Sequence, residues 1–158
     1  MDDYENKMIE AFVDKPEVTA WYINAFKHCD SNGVEKISWV WSWWAFFGGI
    51  FYLLYRKAYV SALVLFAITI LSSAIPLGGL AVLIATGGLA PYFVYKIYRS
   101  KKDEIEATID DEQKRIETMR TLGGYNNWAI WLAVAIHALF WVVIFYMLFT
   151  MLPLLMGQ

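Results

Sequence analysis

A single histidine lies in the middle of a long apolar segment of this sequence. His137 is within residues 128–152, which contain no Asp, Glu, Lys or Arg. At helical spacing it shares a face with Ala129 and Ala133, and small residues are typical of a face that packs on other helices. There it could relay a proton or hold an ion. We favour a neutral histidine that bonds a hydroxyl group, because no apolar segment contains a charged partner. The candidate polar site comprises His137, Ser72, Ser73 and Thr86, with Thr69 as a further hydroxyl.

The remaining reactive residues do not form the combinations that catalysis or metal binding requires. Cys29 is the only cysteine, and no second thiol or nearby carboxylate accompanies it and His28 at metal-ligand spacing. We therefore expect a free thiol in a reducing cytoplasm. We predict no catalytic, metal-binding or cofactor-binding residue, no cofactor and no enzymatic activity. A net charge of −2 argues against nucleic acid as a partner.

The charged residues are confined to a few stretches of the chain. Segments 37–55, 58–95 and 128–152 contain none of the 13 basic and 15 acidic residues. Because a charge at the centre of a bilayer costs roughly 2.5–3.5 kcal/mol, this layout indicates insertion into a membrane. The predicted fold class is an all-α integral membrane protein with membrane lipids around it.

Two regions are predicted to cross the bilayer. Residues 58–95 contain two apolar runs close to the ~20 residues that a span needs, and Pro76 with Gly78-Gly79 makes the turn of a transmembrane helical hairpin. Residues 128–158 supply one further transmembrane helix, to about Leu152, and a short external tail. Basic residues flank the hairpin, so its ends, and with them the N-terminus, are expected in the cytoplasm and the C-terminus in the periplasm.

The aromatic segment 37–57 has two possible interpretations. It is long enough to span, but its tryptophans and tyrosines are typical of an aromatic belt at the headgroup level. Basic residues stand at both of its ends, Lys36 and Arg56. We favour an interfacial or re-entrant element, broken at Gly48-Gly49, over an extra span.

The charged stretches are predicted to form cytoplasmic amphipathic helices. Residues 1–36 read as a helical pair, the first helix with Tyr4, Met8 and Phe12 on its apolar face. Residues 96–127 read as a polar helix over 96–122 and a turn at Gly123-Gly124. One stripe of this helix is apolar and must be covered by the N-terminal helices, the membrane or a protein partner. The predicted partner surface consists of Ile105, Ile109, Ile116 and Met119.

The basic residues that flank the hairpin could contact anionic lipid headgroups. Topology marking explains the same residues, and it is the interpretation we favour. The candidate headgroup contacts are Arg56, Lys57, Lys96 and Arg99.

Three motifs in order resemble a known bacterial family. The run WSWWAFFGG at residues 41–49 continues into LLYRKAY at residues 53–59, and GGYN follows the predicted polar helix at residues 123–126. The pattern is similar to that of the family called domain of unknown function 2628, in which W-N-W-A-A-F-F-F-G-P precedes Y-R-K-M-Y and a transmembrane hairpin. The chain departs from it at Ser42, Gly48 and Ile50. The resemblance implies a small bacterial inner-membrane protein and no particular activity.

Two functions are compatible with these features. We favour a non-enzymatic accessory or scaffold subunit of the inner membrane that acts through contacts with a protein partner or with further copies of itself. The alternative is a small transporter or channel component that works as an oligomer around His137.

Overall fold

The computed structural model describes residues 3–31 and 33–156 and is helical over most of them. The elements follow the order α1 (Asp3–Val13), α2 (Pro16–Cys29), β1 (Asp30–Ser31), β2 (Val34–Glu35), α3 (Trp43–Gly48), α4 (Ile50–Tyr55), α5 (Tyr59–Ser72), α6 (Gly78–Thr108), α7 (Glu112–Leu122) and α8 (Asn127–Met156). The prediction of an all-α architecture is confirmed, apart from one antiparallel pair of two-residue strands.

The N-terminal helices form as their sequence predicts. Met8 and Phe12 on α1 are buried and Tyr4 is half-buried. Pro16 opens α2, where its fixed φ suits the first helical turn. Gly33 then adopts φ +82° between β1 and β2, a left-handed conformation that glycine reaches without strain. These elements pack on α7 and on the second half of α6.

The aromatic segment is broken at its glycine pair, as predicted. The chain is extended up to Ser42, which caps α3 by accepting a hydrogen bond from the Ala45 amide. Gly49 ends α3 with φ +49°, and α4 begins at the next residue. Two helices of six residues replace one continuous helix.

The hairpin has arms of unequal length. Helix α5 contains 14 residues, about 21 Å at a rise of about 1.5 Å per residue, which is less than the ~30 Å of a hydrocarbon core. Its predicted span was longer because the turn takes up residues 73–77. At the start of α6, a Cβ on Gly78 would overlap the Ser72 carbonyl oxygen, so the tight return requires glycine there.

The polar helix predicted over 96–122 is not a separate helix. Helix α6 runs on from the second hairpin arm to Thr108, because charged residues continue a helix as readily as apolar ones. The break follows at Ile109, which is extended, and the Asp111 side chain caps α7 by accepting from the Lys114 amide at 2.8 Å. The predicted stripe is therefore divided between α6 and α7.

Helix α8 extends further than predicted. It continues through Pro153 to Met156, and the last two residues of the predicted tail lie outside the described residues. Two helical stretches among the described residues are long and apolar enough to cross a membrane, Gly78–Thr108 and Glu112–Met151, the second of which contains most of α8. Of the three predicted spans, the one that corresponds to α5 is too short to cross the hydrocarbon core.

The core extends from the N-terminal helices to the aromatic helices. Most of its large buried side chains belong to α1, α2, α7 and the part of α6 from Pro91 onward, which together we call the helical unit. Tyr52 and Leu53 of α4 and small residues of α3 and α5 complete the core. Its most buried large side chains include Met8, Phe26, Tyr95, Tyr98 and Met119. In contrast, the most apolar stretch of α8 is entirely unburied.

Candidate functional site

Segment Val40–Ser42 adds onto helix α6 through backbone hydrogen bonds. The Ser42 amide donates to the Gly87 carbonyl at 2.8 Å, and the Val40 amide donates to the Gly88 carbonyl at 2.9 Å. Pro91 has no N–H, so the carbonyl four residues earlier, that of Gly87, has no helical donor. The extended segment supplies the missing donor. Because Pro91 leaves the Gly87 carbonyl without a helical donor, that carbonyl is available to bind the aromatic segment, and the helix continues through Pro91.

The two glycines allow this close approach. A Cβ on Gly87 would lie 3.0 Å from Phe46 and from the Trp41 ring, and one on Gly88 would overlap the Trp39 indole. Because glycine has no Cβ, the indole rings can pack directly on the helix backbone at these two positions. The sequence signal was present in Gly87-Gly88 and Pro91, but the partner segment could not be inferred from it.

A series of tyrosine hydroxyls connects α6 to the acidic N-terminal residues. Tyr98 donates to Glu5 at 2.7 Å and Tyr95 donates to Asp30 at 3.0 Å, while Tyr92 donates to Glu35. The three tyrosines recur at a spacing of three residues, so they share one face of α6. Three acidic residues of the first 36 positions thus connect the N-terminal segment to α6.

The basic pair between α4 and α5 binds the ends of two other helices. The Arg56 guanidinium donates from Nη1 to the carbonyl of Val13 at 3.2 Å, at the end of α1. Lys57 donates to the carbonyl of Gly123, at the end of α7. Because the last carbonyls of a helix are unpaired and carry partial negative charge, cations are favourable at both places.

A cleft of about 780 Å³ opens between α2, the aromatic helices and the first turns of α8. Its wall combines large aromatic side chains with small or aliphatic residues of α8, among them Trp41, Trp43, Trp44, Phe51, Ala133 and Val134. This is the concave, mostly apolar surface with few polar groups that is typical of ligand sites. It is the candidate functional site of the molecule.

Two cations and a tyrosine pair supply the polar groups of the cleft. The hydroxyls of Tyr22 and Tyr52 are 2.8 Å apart, and the Arg56 guanidinium lies 4.4 Å from the Tyr22 ring centre. The Lys15 ammonium lies 4.5 Å from the Tyr125 ring, and a hydrogen bond to Tyr55 raises its pKa above the ordinary value. Lys15 therefore remains charged at neutral pH, as a guanidinium group does. Glu17 is the one acidic residue among the lining residues described.

The predicted intramembrane polar site is not assembled in this structure. His137 bonds the Ala133 carbonyl of its own helix at 2.8 Å, and its ring lies 6.2 Å from that of Phe51. The hydroxyls of Ser72, Ser73 and Thr86 likewise donate to carbonyls three or four residues earlier in the chain. A role for these four residues stays a prediction.

The other predicted surfaces are partly interior. Arg56 is only 5% exposed, so the structure places it inside the molecule and not at its surface. Arg99 bonds Asp30, Asp103 and the Gly33 carbonyl, and Lys96 lies 3.9 Å from Glu35.

Residues of the chain itself cover the predicted partner stripe. Ile105 and Met119 are buried, while Ile109 and Ile116 pack at the edge of the core. Among the covers considered from sequence, the N-terminal helices are the ones observed, because α1 packs along α7.

The cleft itself was not anticipated from sequence. Arg56 follows Tyr22 by 34 residues in the chain, and only the fold brings it beside Lys15 and Tyr22. A usable signal was the basic pair Arg56-Lys57 directly after the aromatic segment.

Apart from one pair of two-residue strands, the described residues form an all-helical protein. Two of its helical stretches are long and apolar enough to cross a membrane. Within that class, the chain belongs to the family described as "Protein of unknown function (DUF2628)", whose profile matches residues 5–89. The match includes both the Val40–Ser42 segment and its acceptors Gly87 and Gly88. No curated protein and no solved structure matches the chain significantly.

Proposed function

We propose that this protein is a multi-pass protein of the bacterial inner membrane and serves there as a non-enzymatic accessory or scaffold subunit. The observation that carries the proposal is α8, a helix of 30 residues whose most apolar stretch is unburied. An apolar surface of this size is costly in water but favourable in lipid or against another membrane helix. The helical unit is then held at the membrane face.

The charge distribution supports a cytoplasmic position for the helical unit. The basic residues Lys96, Arg99, Lys101 and Lys102 lie in the second half of α6, next to its apolar half. Positive charges near the ends of spanning segments favour the cytoplasm. Helix α8 then leads away from the helical unit toward the periplasm.

The protein-protein contact is proposed to involve α8, because the stripe on α6 and α7 is already covered. Trp141, Phe145 and Phe149 lie at a spacing of four residues on one face, and each is more than half exposed. Aromatic side chains are frequent anchors of interfaces. The first turns of α8 pack on α4, so the exposed remainder is available to a second membrane protein or to a copy of this chain.

Three measurements test the proposal. Alkaline carbonate should leave the protein in the membrane pellet, and release into the soluble fraction would contradict insertion. A reporter inserted at the exposed Asp111 should read cytoplasmic, and one fused after Gln158 should read periplasmic. Replacing Trp141, Phe145 and Phe149 with leucine keeps the helix apolar but should reduce co-purification of the partner.

A control for the last experiment is Phe66→Leu on α5, where the side chain is 52% exposed, close to the 55% of Trp141. It should leave co-purification unchanged. Equal co-purification by the α8 triple variant and by the wild-type protein would contradict α8 as the contact surface while leaving membrane insertion intact.

A further inference from the structure

We infer that the cleft between α2, the aromatic helices and α8 binds one molecule of an anionic phospholipid, with its phosphate at Lys15 and Arg56 and an acyl chain along α8. The inference goes beyond the accessory role, and it rests on the proposed membrane location for the choice of a lipid as occupant.

Unsatisfied hydrogen-bonding capacity supports a polar ligand group. Arg56 is 5% exposed and lines the cleft, and its Nε is buried without a hydrogen-bond partner among the described residues. Trp41 also lines the cleft, and its Nε1 is likewise buried without a hydrogen-bond partner among the described residues. A buried N–H with no acceptor costs free energy. Neighbouring atoms cover both nitrogens, so a ligand oxygen would recover this free energy after a small movement of either side chain.

Charge complementarity makes that oxygen anionic. Lys15 and Arg56 contribute two positive charges and Glu17 one negative charge to the described lining, so the cleft carries an excess of positive charge. The guanidinium binds phosphate oxygens in a fixed geometry, and the ammonium binds them as a point charge. A phosphodiester has the charge and the acceptor oxygens that each of these groups binds.

The remaining surface of the cleft fits a hydrocarbon chain. Beyond the cations, the wall consists of indole and phenyl rings on one side and of Ala133 and Val134 on the other. The rim carries the exposed indoles of Trp43 and Trp44, which are 62% and 80% exposed. Such amphipathic rings favour the headgroup level of a membrane, where the phosphate and the upper part of the acyl chain are located.

The volume of the cleft limits the occupant to part of one lipid. About 780 Å³ falls within the range of small-molecule sites. That space accommodates a phosphate group and one chain, while a second chain would lie outside along the uncovered face of α8. The expected stoichiometry is one retained lipid for each protein chain.

Native mass spectrometry of the full-length protein in neutral detergent tests this inference. Phosphatidylglycerol and phosphatidylcholine with the same acyl chains are titrated separately. Wild-type protein should retain one phosphatidylglycerol and should bind phosphatidylcholine about tenfold more weakly. Equal retention of the two lipids would overturn the assignment of an anionic ligand, and retention of neither would overturn the lipid site.

Two pairs of variants locate the binding. Lys15→Gln should weaken phosphatidylglycerol retention about tenfold, whereas Lys27→Gln, on the exposed face of α2, should not. Ala133→Phe fills the cleft and should abolish retention, whereas Ala135→Phe on the exposed side of α8 should not. If each cleft variant behaved like its control, the lipid would be bound elsewhere and the inference would be wrong.

Two further arms separate the remaining alternatives. Inorganic phosphate added in excess should not displace the lipid, and displacement would identify free phosphate as the ligand. Carbonate extraction of Lys15→Gln should match that of the wild-type protein. Loss of lipid retention with insertion intact supports the cleft site, while loss of insertion would count against the proposed membrane location instead.

Discussion

The helical unit and α8 are both rich in apolar residues, yet their surroundings differ completely. In the helical unit, Phe26, Tyr98 and Met119 are almost completely buried, and the Tyr98 hydroxyl among them is paired with a carboxylate. Along α8, Phe149 is 81% exposed and Trp131 is 73% exposed. A high content of apolar residues therefore does not locate the core. The buried side chains of the helical unit are accompanied by specific polar pairs, whereas α8, the most apolar helix, exposes its large side chains.

The sharpest test of this difference is a matched pair of methionine truncations. Met119→Ala in the helical unit should lower the free energy of unfolding by about 2–5 kcal/mol, because the side chain is completely buried. Met147→Ala on α8, where the side chain is 55% exposed, should change it by less than about 0.5 kcal/mol. Urea titration of the protein in neutral detergent, followed by near-ultraviolet circular dichroism, measures both. Equal effects would remove the distinction between the two regions.

A glycine pair tests how closely the helical unit is packed. A Cβ on Gly123 would lie 2.7 Å from the Cα and carbonyl oxygen of Phe12, and backbone atoms cannot move aside cheaply. Gly123→Ala should therefore cost about 1–3 kcal/mol of unfolding free energy. Gly79→Ala, in the first turn of α6 with open space around it, should be neutral or slightly stabilising. The same urea titration compares them, and a neutral Gly123→Ala would mean that α1 and α7 are not in contact.

Removal of one hydroxyl tests the tyrosine-carboxylate pairs. Tyr98→Phe takes away the donor to Glu5 and should lower the free energy of unfolding by about 1–3 kcal/mol, because a largely buried carboxylate loses a hydrogen bond. Tyr146→Phe on α8 removes a hydroxyl from a residue that is 69% exposed and should have an effect below about 0.5 kcal/mol. Thermal unfolding of the two variants beside the wild-type protein checks the difference. Matching melting curves for all three would contradict a stabilising role for the pair.

The last expected effect concerns pH. Burial raises the pKa of the Cys29 thiol from 9.0 to about 11. The neutral thiol of the folded helical unit thus contributes stability that is complete below pH 9 and decreases as pH rises toward 11. Between pH 9 and 11 the free energy of unfolding should therefore fall less in Cys29→Ala than in the wild-type protein. Urea titrations at about pH 8, 9.5 and 11 measure this difference. The buried thiol should also react slowly with maleimide at about pH 7. Rapid labelling of the native protein would show that Cys29 is not buried in the helical unit.

Local patterns predicted much of the fold. Helix α1, the proline at the start of α2, the break at Gly48-Gly49 and the cap at Gly123 each depend on residues close together in sequence, so the sequence alone was sufficient. The continuous α6 was missed because a change from apolar to charged residues was interpreted as a boundary. Such a change alters the surroundings of a helix and not its backbone.

The candidate site could not be predicted in the same way. Arg56 was interpreted as a topology marker or a headgroup contact beside the hairpin, yet α1 and α7 offer it and Lys57 two helix ends to bind. The cleft depends on how α2, α4 and α8 meet. No spacing along the chain predicts how these three helices pack. The polar site around His137 was expected because His137 shares a face with Ala129 and Ala133 and the hairpin contains hydroxyl groups.

The hydrogen bonds between Val40–Ser42 and α6 also have a consequence for the order of events during synthesis. Ser42 leaves the ribosome 45 residues before its acceptor Gly87, so the aromatic segment is made while its acceptors do not yet exist. Extended backbone enters a nonaqueous environment only when its amides are satisfied. The segment therefore stays in contact with water or with another protein until α6 has been synthesised, and its docking on α6 is a late step of folding.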